Sequence, residues 1–258
     1  MEKTVILSRG ELKIFCKQTE PDCGEIRRVV LSVHGFAGST EDVIQTSIAE
    51  EMEIFSSAIV RFDFPGHGRS PMTDAFFTLR NCRESLMAAA EYARQQYPDV
   101  ETLCIFASGF GAYVTLICLE ELTQLSDKLR LVVQTPSVMM HETLLALGSI
   151  SRPTFQAMGE FTIPTARPLT IRYSFYEELL ENSALVPHRV PMLILHGEFD
   201  SYTPRTHIQN LRRINENAKL VIIPGASHRF LEDGAWDMVL DLTRDWFAFA
   251  QVLVTDWE

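Results

Sequence analysis

The chain has 258 residues, 46% of them hydrophobic and 22% charged, which suits one α/β domain carrying an insertion. Its formal net charge of −11 argues against nucleic acid or an anionic membrane as a partner, and no apolar run approaches the ~20 residues that span a bilayer. The start, Met1-Glu2-Lys3-Thr4-Val5, has no basic stretch followed by an apolar one, so a cytoplasmic location is expected.

In chain order, residues 4–7 and 12–16 are short β-branched and aromatic runs around Arg9-Gly10, which predicts a hairpin of edge strands. Residues 29–33 and 58–62 are nearly continuous apolar runs, the pattern of strands buried on both faces of a parallel sheet. Ser39, with Asp42 three residues on, predicts the start of a helix running through Ile48 and Met52. Residues 63–70 are too rich in glycine and proline to continue a strand and read as a loop. A helix over 79–96 presents Leu86, Ala89, Ala90 and Ala93 inward and is stopped by Pro98. A strand ending near Ser108, a helix over 111–122 and a strand at 131–133 follow. The alternation resumes with a strand at 192–195, a helix over 206–214, a strand at 220–223 and a last helix over 233–252. Strands alternating with helices imply a mostly parallel sheet flanked by helices.

Between residues 136 and 187 the alternation breaks. Pro153, Pro164 and Pro168 interrupt helical patches there, and large apolar side chains accumulate. Insertions of this length are usually lids or binding loops, so residues 1–135 and 188–258 are expected to form the core and 136–187 a cap. Met139, Phe161, Tyr173 and Tyr176 are the cap residues expected to face a ligand, with the remaining aromatics forming its own small core. The five cysteines (Cys16, Cys23, Cys82, Cys104, Cys118) lack metal-ligand spacing, and reduced core thiols are expected. No metal and no cofactor is expected.

The most informative stretch is Phe106-Ala107-Ser108-Gly109-Phe110-Gly111. Strand, sharp turn and helix in immediate succession are the context of a nucleophile elbow, in which small residues flank the apex at two positions before and two after. Here the small pair is Ala107 and Gly111, which places Gly109 at the apex. Moving the apex to Ser108 would put Phe106 and Phe110 where the turn needs almost no side chain. Glycine adopts the strained apex geometry almost freely, so the turn survives while the reactive side chain is absent.

Three further loops fall at the C-terminal ends of strands, where open α/β sheets bind ligands. They carry His34-Gly35-Phe36, Asp200 and Ser227-His228. The order of elbow, then Asp, then His is that of one class of catalytic triads, with Asp orienting the imidazole and His acting as base and then acid. Glu198 is a second candidate acid, and Asp200 has the competing role of capping the helix after Pro204. His34, His67 and His196 are expected to fix loop backbones rather than react.

With His34-Gly35-Phe36-Ala37-Gly38, Asp63-Phe64-Pro65-Gly66-His67-Gly68, the elbow, His196-Gly197-Glu198-Phe199-Asp200 and Ser227-His228-Arg229-Phe230 in order, the chain resembles the α/β-hydrolase family. Within it, the likeness is to small bacterial carboxylesterases of the cinnamoyl or feruloyl esterase type. The resemblance implies an α/β-hydrolase fold with an inserted cap and a small-molecule ester or carboxylic acid as ligand. It also implies an oxyanion hole from the backbone N–H groups of Phe36 and Phe110, Asp200 as the triad acid and His228 as the base. Members of the family carry serine where this chain has Gly109. Four readings stay open: an esterase disarmed at its serine, a non-catalytic binder that keeps the acyl pocket, a slow hydrolase in which His228 activates water directly, and an esterase using Ser108.

Overall fold

The computed structural model describes residues 1–22, 24–165 and 167–249. Strands β1 (Glu2–Arg9) and β2 (Leu12–Thr19) form the expected hairpin across Gly10, whose φ of +58° closes the turn. The chain continues through β3 (Arg28–Val33), α1 (Val43–Ile54), β4 (Ser57–Phe62), α2 (Leu79–Gln96), β5 (Thr102–Ser108), α3 (Gly109–Ile117), α4 (Leu119–Thr123) and β6 (Lys128–Gln134). After β6 come α5 (Met140–Leu147), α6 (Arg152–Met158), β7 (Glu160–Ile163), β8 (Leu169–Arg172) and α7 (Tyr173–Glu181). The main sheet then resumes with β9 (Met192–Gly197), α8 (Arg205–Ile214), β10 (Ala218–Ile223) and α9 (Ala235–Phe249). The last three positions of the helix expected over 233–252, like Cys23, lie outside the described residues.

The eight-stranded sheet has the order β1-β2-β4-β3-β5-β6-β9-β10 and is parallel from β4 to β10. Leaving β3, the chain steps to β4 on one side and later to β5 on the other, which makes the β3/β5 boundary a topological switch point. Alternate residues of each strand feed two cores. Val29, Leu31 and Val33 of β3 join Leu86 and Ala90 of α2 on one face, while Val30 joins Ile48 of α1 and Val239 of α9 on the other. Both faces of the central strands are therefore dry, and their continuous apolar runs follow from that. Cys16, Cys82, Cys104 and Cys118 are buried free thiols, and burial pushes Cys104 up to about 12.

Three local expectations are corrected. Helix α1 begins at Val43, not after Ser39, because the Asp42 carboxylate turns back to accept from the Ser39 N–H at 2.8 Å and so builds a turn ahead of the helix. The single helix expected over 111–122 is two, α3 and α4, meeting at Cys118. In its last turns the Thr115 hydroxyl donates to the Gly111 carbonyl at 2.8 Å, a back-bond that bends helices. Pro164 and Pro168 do not break helices; they lie in the connection of a β7–β8 hairpin.

The loop after β4 is stitched from buried polar groups. His34 Nε2 accepts from the Phe64 N–H at 3.1 Å, and the His67 ring donates through Nδ1 to the Pro65 carbonyl at 2.9 Å. Burial, reinforced by His34, holds the His67 imidazole down at about 3. His67 is thus neutral in the fold but takes a proton below pH ~6.5 once unfolded. Its contribution is complete above that pH and is lost progressively as pH falls toward 3, by up to about 1.4 kcal/mol per pH unit. Thermal melts between pH 7 and pH 4 are expected to show this fall, and His67→Asn should make the dependence shallower; an equal slope in the two proteins would contradict it.

Candidate active site

Strand β5 ends at Ser108 in extended geometry (φ −115°, ψ 141°), and Gly109 then takes φ +50° at the first position of α3. Two residues on, the chain presses against its neighbour: a Cβ at Gly111 would lie 2.3 Å from the His34 carbonyl oxygen and 2.9 Å from Val33 Cγ1. A Cβ at Gly109 would meet nothing nearer than 3.9 Å, where Gly35 Cα and Ser137 Oγ stand. The bend is therefore tight beneath and open above. Ser108 has the strand parity of Cys104 and Phe106, which pack on the α1/α9 face, and its Oγ lies 3.6 Å from where a Cβ of Gly35 would be. Among the described residues no hydrogen bond joins Ser108 to His228.

Asp200 and His228 meet across the loops after β9 and β10, with His228 Nδ1 donating to Asp200 Oδ2 at 2.8 Å. The other carboxylate oxygen accepts from the N–H groups of Tyr202 and Thr203 at 2.8 and 2.9 Å. Burial opposes the charge on Asp200, but the bond from His228 and these two amides outweigh it and hold the carboxyl below its ordinary range. The His228 side chain keeps a quarter of its surface, with the Tyr202 ring 5.1 Å away, so its remaining nitrogen is left for the cavity it lines. Asp200 does not cap α8, whose N-cap is Pro204 with no side-chain bond; it closes the loop ahead of that helix and holds His228. Glu198 accepts from the Gly225 N–H at 2.9 Å and braces the neighbouring loop instead. His196 packs behind the pair with Nδ1 3.6 Å from Asp200 Oδ2, and burial lowers its pKa.

The loop after β3 and the first turn of α3 face each other across the switch point. Phe36 and Phe110 line the same cavity, and among the described residues neither backbone N–H has a hydrogen-bond partner. The loop is held open by His34, whose Nδ1 donates to the Gly35 carbonyl at 2.7 Å, and by Ala37 at φ +60°. Their rings, 5.9 Å apart, belong to an aromatic cluster with Phe64 and Phe77 that fixes both loops from below.

The cavity measures about 380 Å³ and brings together Phe36, Gly109, Phe110 and His228 with Ser108, Ser137 and Tyr202. The segment between β6 and β9 closes it with Met140, Thr143, Leu147, Ile163 and Thr165. Met139, Phe161, Tyr173 and Tyr176 do not line it. Phe161, Tyr173 and Tyr176 instead pack around fully buried Phe155, at ring separations of 4.7, 5.2 and 5.9 Å, and Met139 packs against the core as the cap residue of α5. Sequence reasoning also missed Ser137 and Tyr202, although one lies in the loop just past the end of β6 and the other in the loop just past Asp200. A larger surface groove of about 570 Å³ between α2, α4 and α7 is lined by paired charges such as Arg83–Glu121 and lies away from these loops.

These features define the α/β-hydrolase fold. No protein-family model matches the chain, and comparison with curated proteins gives no match. Among solved structures, the fold is similar to Est1E from Butyrivibrio proteoclasticus with ferulic acid bound (20% identity over 95% of this chain and 98% of that one, TM-score 0.82). It is also similar to a putative hydrolase from Agrobacterium vitis S4 (17%, 96% and 98%, TM-score 0.80) and to mouse alpha/beta hydrolase domain-containing protein 10 (18%, 96% and 100%, TM-score 0.74). Among the described residues no helix is long and apolar enough to cross a membrane.

Proposed function

We propose that the chain is a carboxylic-ester hydrolase scaffold whose elbow has lost its nucleophile at Gly109, and that it binds small aromatic or short acyl esters and carboxylic acids with little or no turnover. The observation that carries this reading is the hydrogen-bonded Asp200–His228 pair facing, across one cavity, a glycine with φ +50° and two unpartnered N–H groups. Those N–H groups, of Phe36 and Phe110, are the donors an acyl oxygen would take. The segment 136–187 serves as the cap, offering Met140, Leu147 and Ile163 to the apolar part of the ligand. With no hydroxyl at position 109, His228 has nothing to activate at the apex. Losing one member of such a triad leaves on the order of 10³–10⁴-fold catalysis over water elsewhere. The Ser108 reading is disfavoured because Ser108 ends β5 in extended geometry with the strand parity of Cys104 and Phe106 on the α1/α9 face, and among the described residues no hydrogen bond joins it to His228.

Titration with ferulate or benzoate tests this. Saturable one-to-one binding is expected with a Kd on the order of 0.1–1 mM, given typical binding free energy per ligand atom. At ten times Kd the ligand should stabilise the fold by about 1.4 kcal/mol, and Leu147→Trp should weaken the effect by filling the cavity. Hydrolysis of 4-nitrophenyl acetate by the unaltered chain at the ~10 s⁻¹ typical of enzymes, abolished by His228→Ala, would contradict the proposal.

A further inference from the structure

The apex of the elbow carries no hydroxyl, but the space above it does. Strand β6 lies between β5 and β9, so its C-terminal end falls between the elbow and the loop that carries Asp200. Immediately past that end the chain makes a tight turn, with the Val138 N–H donating to the Pro136 carbonyl at 2.8 Å. Thr135, the residue entering the turn, sits at φ +40°, a conformation that is strained for a residue with a Cβ and that clusters at functional sites. The turn presents Ser137. Its N–H donates to the Gly109 carbonyl at 3.2 Å, and its Oγ lies 3.9 Å from the place a Cβ of residue 109 would occupy. The residue is otherwise buried and lines the cavity together with His228. Among the described residues its hydroxyl has no hydrogen-bond partner. Ser108 lines the same cavity, but it has the strand parity of Cys104 and Phe106 on the α1/α9 side, and its Oγ lies toward Gly35.

We infer that Ser137 is a relocated nucleophile, reaching from the end of β6 into the position left empty by Gly109 and served by His228. This goes beyond the proposed function and shares with it only the Asp200–His228 pair and the oxyanion donors. As the Ser137 Oγ bonds to the ester carbon, its proton passes to His228 Nε2, and the carbonyl oxygen takes the negative charge toward the N–H groups of Phe36 and Phe110. Collapse breaks the bond to the alcohol, which leaves with the proton from the imidazolium. Water then attacks the acyl carbon and gives one proton to Nε2. The bond to Oγ breaks and Ser137 recovers its proton, so ester and water become acid and alcohol. Because the oxygen starts from β6 and not from the elbow, the oxyanion donors are not aimed at it as they would be at an apex serine, and turnover is slow.

The test is to incubate the unaltered protein with an alkyl fluorophosphonate, which a serine oxygen attacks at phosphorus with loss of fluoride, and to map the adduct by peptide mass spectrometry. The expected result is a phosphonylated Ser137, absent in Ser137→Ala and formed at least tenfold more slowly in His228→Gln. Ser137→Ala should also lower the slow hydrolysis of 4-nitrophenyl acetate by at least tenfold. The mapping is done on the unaltered chain, so it does not depend on how a variant folds. An adduct on Ser108 or any other residue would overturn the inference, as would no adduct at saturating probe. Ferulate binding, scored on the same sample, separates the two claims: binding without an adduct removes Ser137 alone, whereas neither binding nor adduct removes the proposed function as well.

Discussion

Gly109→Ser is expected to raise esterase activity by on the order of 10³–10⁶-fold, the range bounded by what nucleophile loss costs in well-studied triads. Space is not the obstacle, because the new Cβ would have no neighbour nearer than 3.9 Å. The partners are already in place, with His228 Nδ1 held at 2.8 Å by a carboxylate that two backbone amides keep ionised. The cost is conformational: φ is +50° at this residue, and a side chain there is strained by roughly 1–3 kcal/mol. The variant should therefore be more active and less stable, melting about 2–12 °C lower. Steady-state kinetics with an activated aryl ester and a thermal melt measure both. Unchanged kinetics in a folded variant would mean that the Asp200–His228 pair does not face residue 109.

Gly111→Ala should also cost stability, but through a clash and not through a dihedral angle. A Cβ there would lie 2.3 Å from the His34 carbonyl oxygen and 2.9 Å from the Val33 carbonyl oxygen. Both are backbone atoms at the end of a central strand and cannot rotate away. Overpacking of this kind costs typically 1–3 kcal/mol and occasionally more, and a backbone clash in the middle of the sheet belongs at the upper end. A loss of about 3 kcal/mol corresponds to a melting temperature about 6–12 °C lower in a chain of this size. A melt within a degree of the unaltered protein would show that α3 does not pack on β3 as described. Two glycines two residues apart thus answer to different constraints, one to a dihedral angle and the other to a neighbour.

That contrast was legible in the sequence because an elbow is a local device: strand, apex and helix are contiguous, and the small residues at Ala107 and Gly111 fix the register. Strands buried on both faces were legible for a similar reason, and so was α2, whose inward alanines repeat at helical spacing; its Thr78 cap, accepting from the Asn81 N–H at 3.1 Å, came only with the structure. The wall of the cavity was not. Met140, Thr143 and Leu147 form a stripe along α5, but Met139 lies one residue off it, and only the direction in which the helix lies on the sheet decides which of them meets the cavity. The aromatics of the same segment satisfy one another around Phe155, a packing choice with no periodic signature. Prolines misled for a physical reason too: they punctuate a hairpin connection as readily as they end a helix, and the alternation Glu160-Phe161-Thr162-Ile163 is the stronger pointer to β7. Ser137 is the least legible of all, because its nearness to Gly109 comes from the adjacency of β5 and β6.

The placement of residue 109 at the tip of the bend, open to the imidazole of His228, supports both the proposed function and the effect of restoring serine. Covalent labelling of the Gly109→Ser variant with a fluorophosphonate tests that placement most directly. The account predicts rapid, stoichiometric modification of residue 109, lost when Asp200 or His228 is removed. Modification of Ser108 in that variant, with residue 109 untouched, would contradict it.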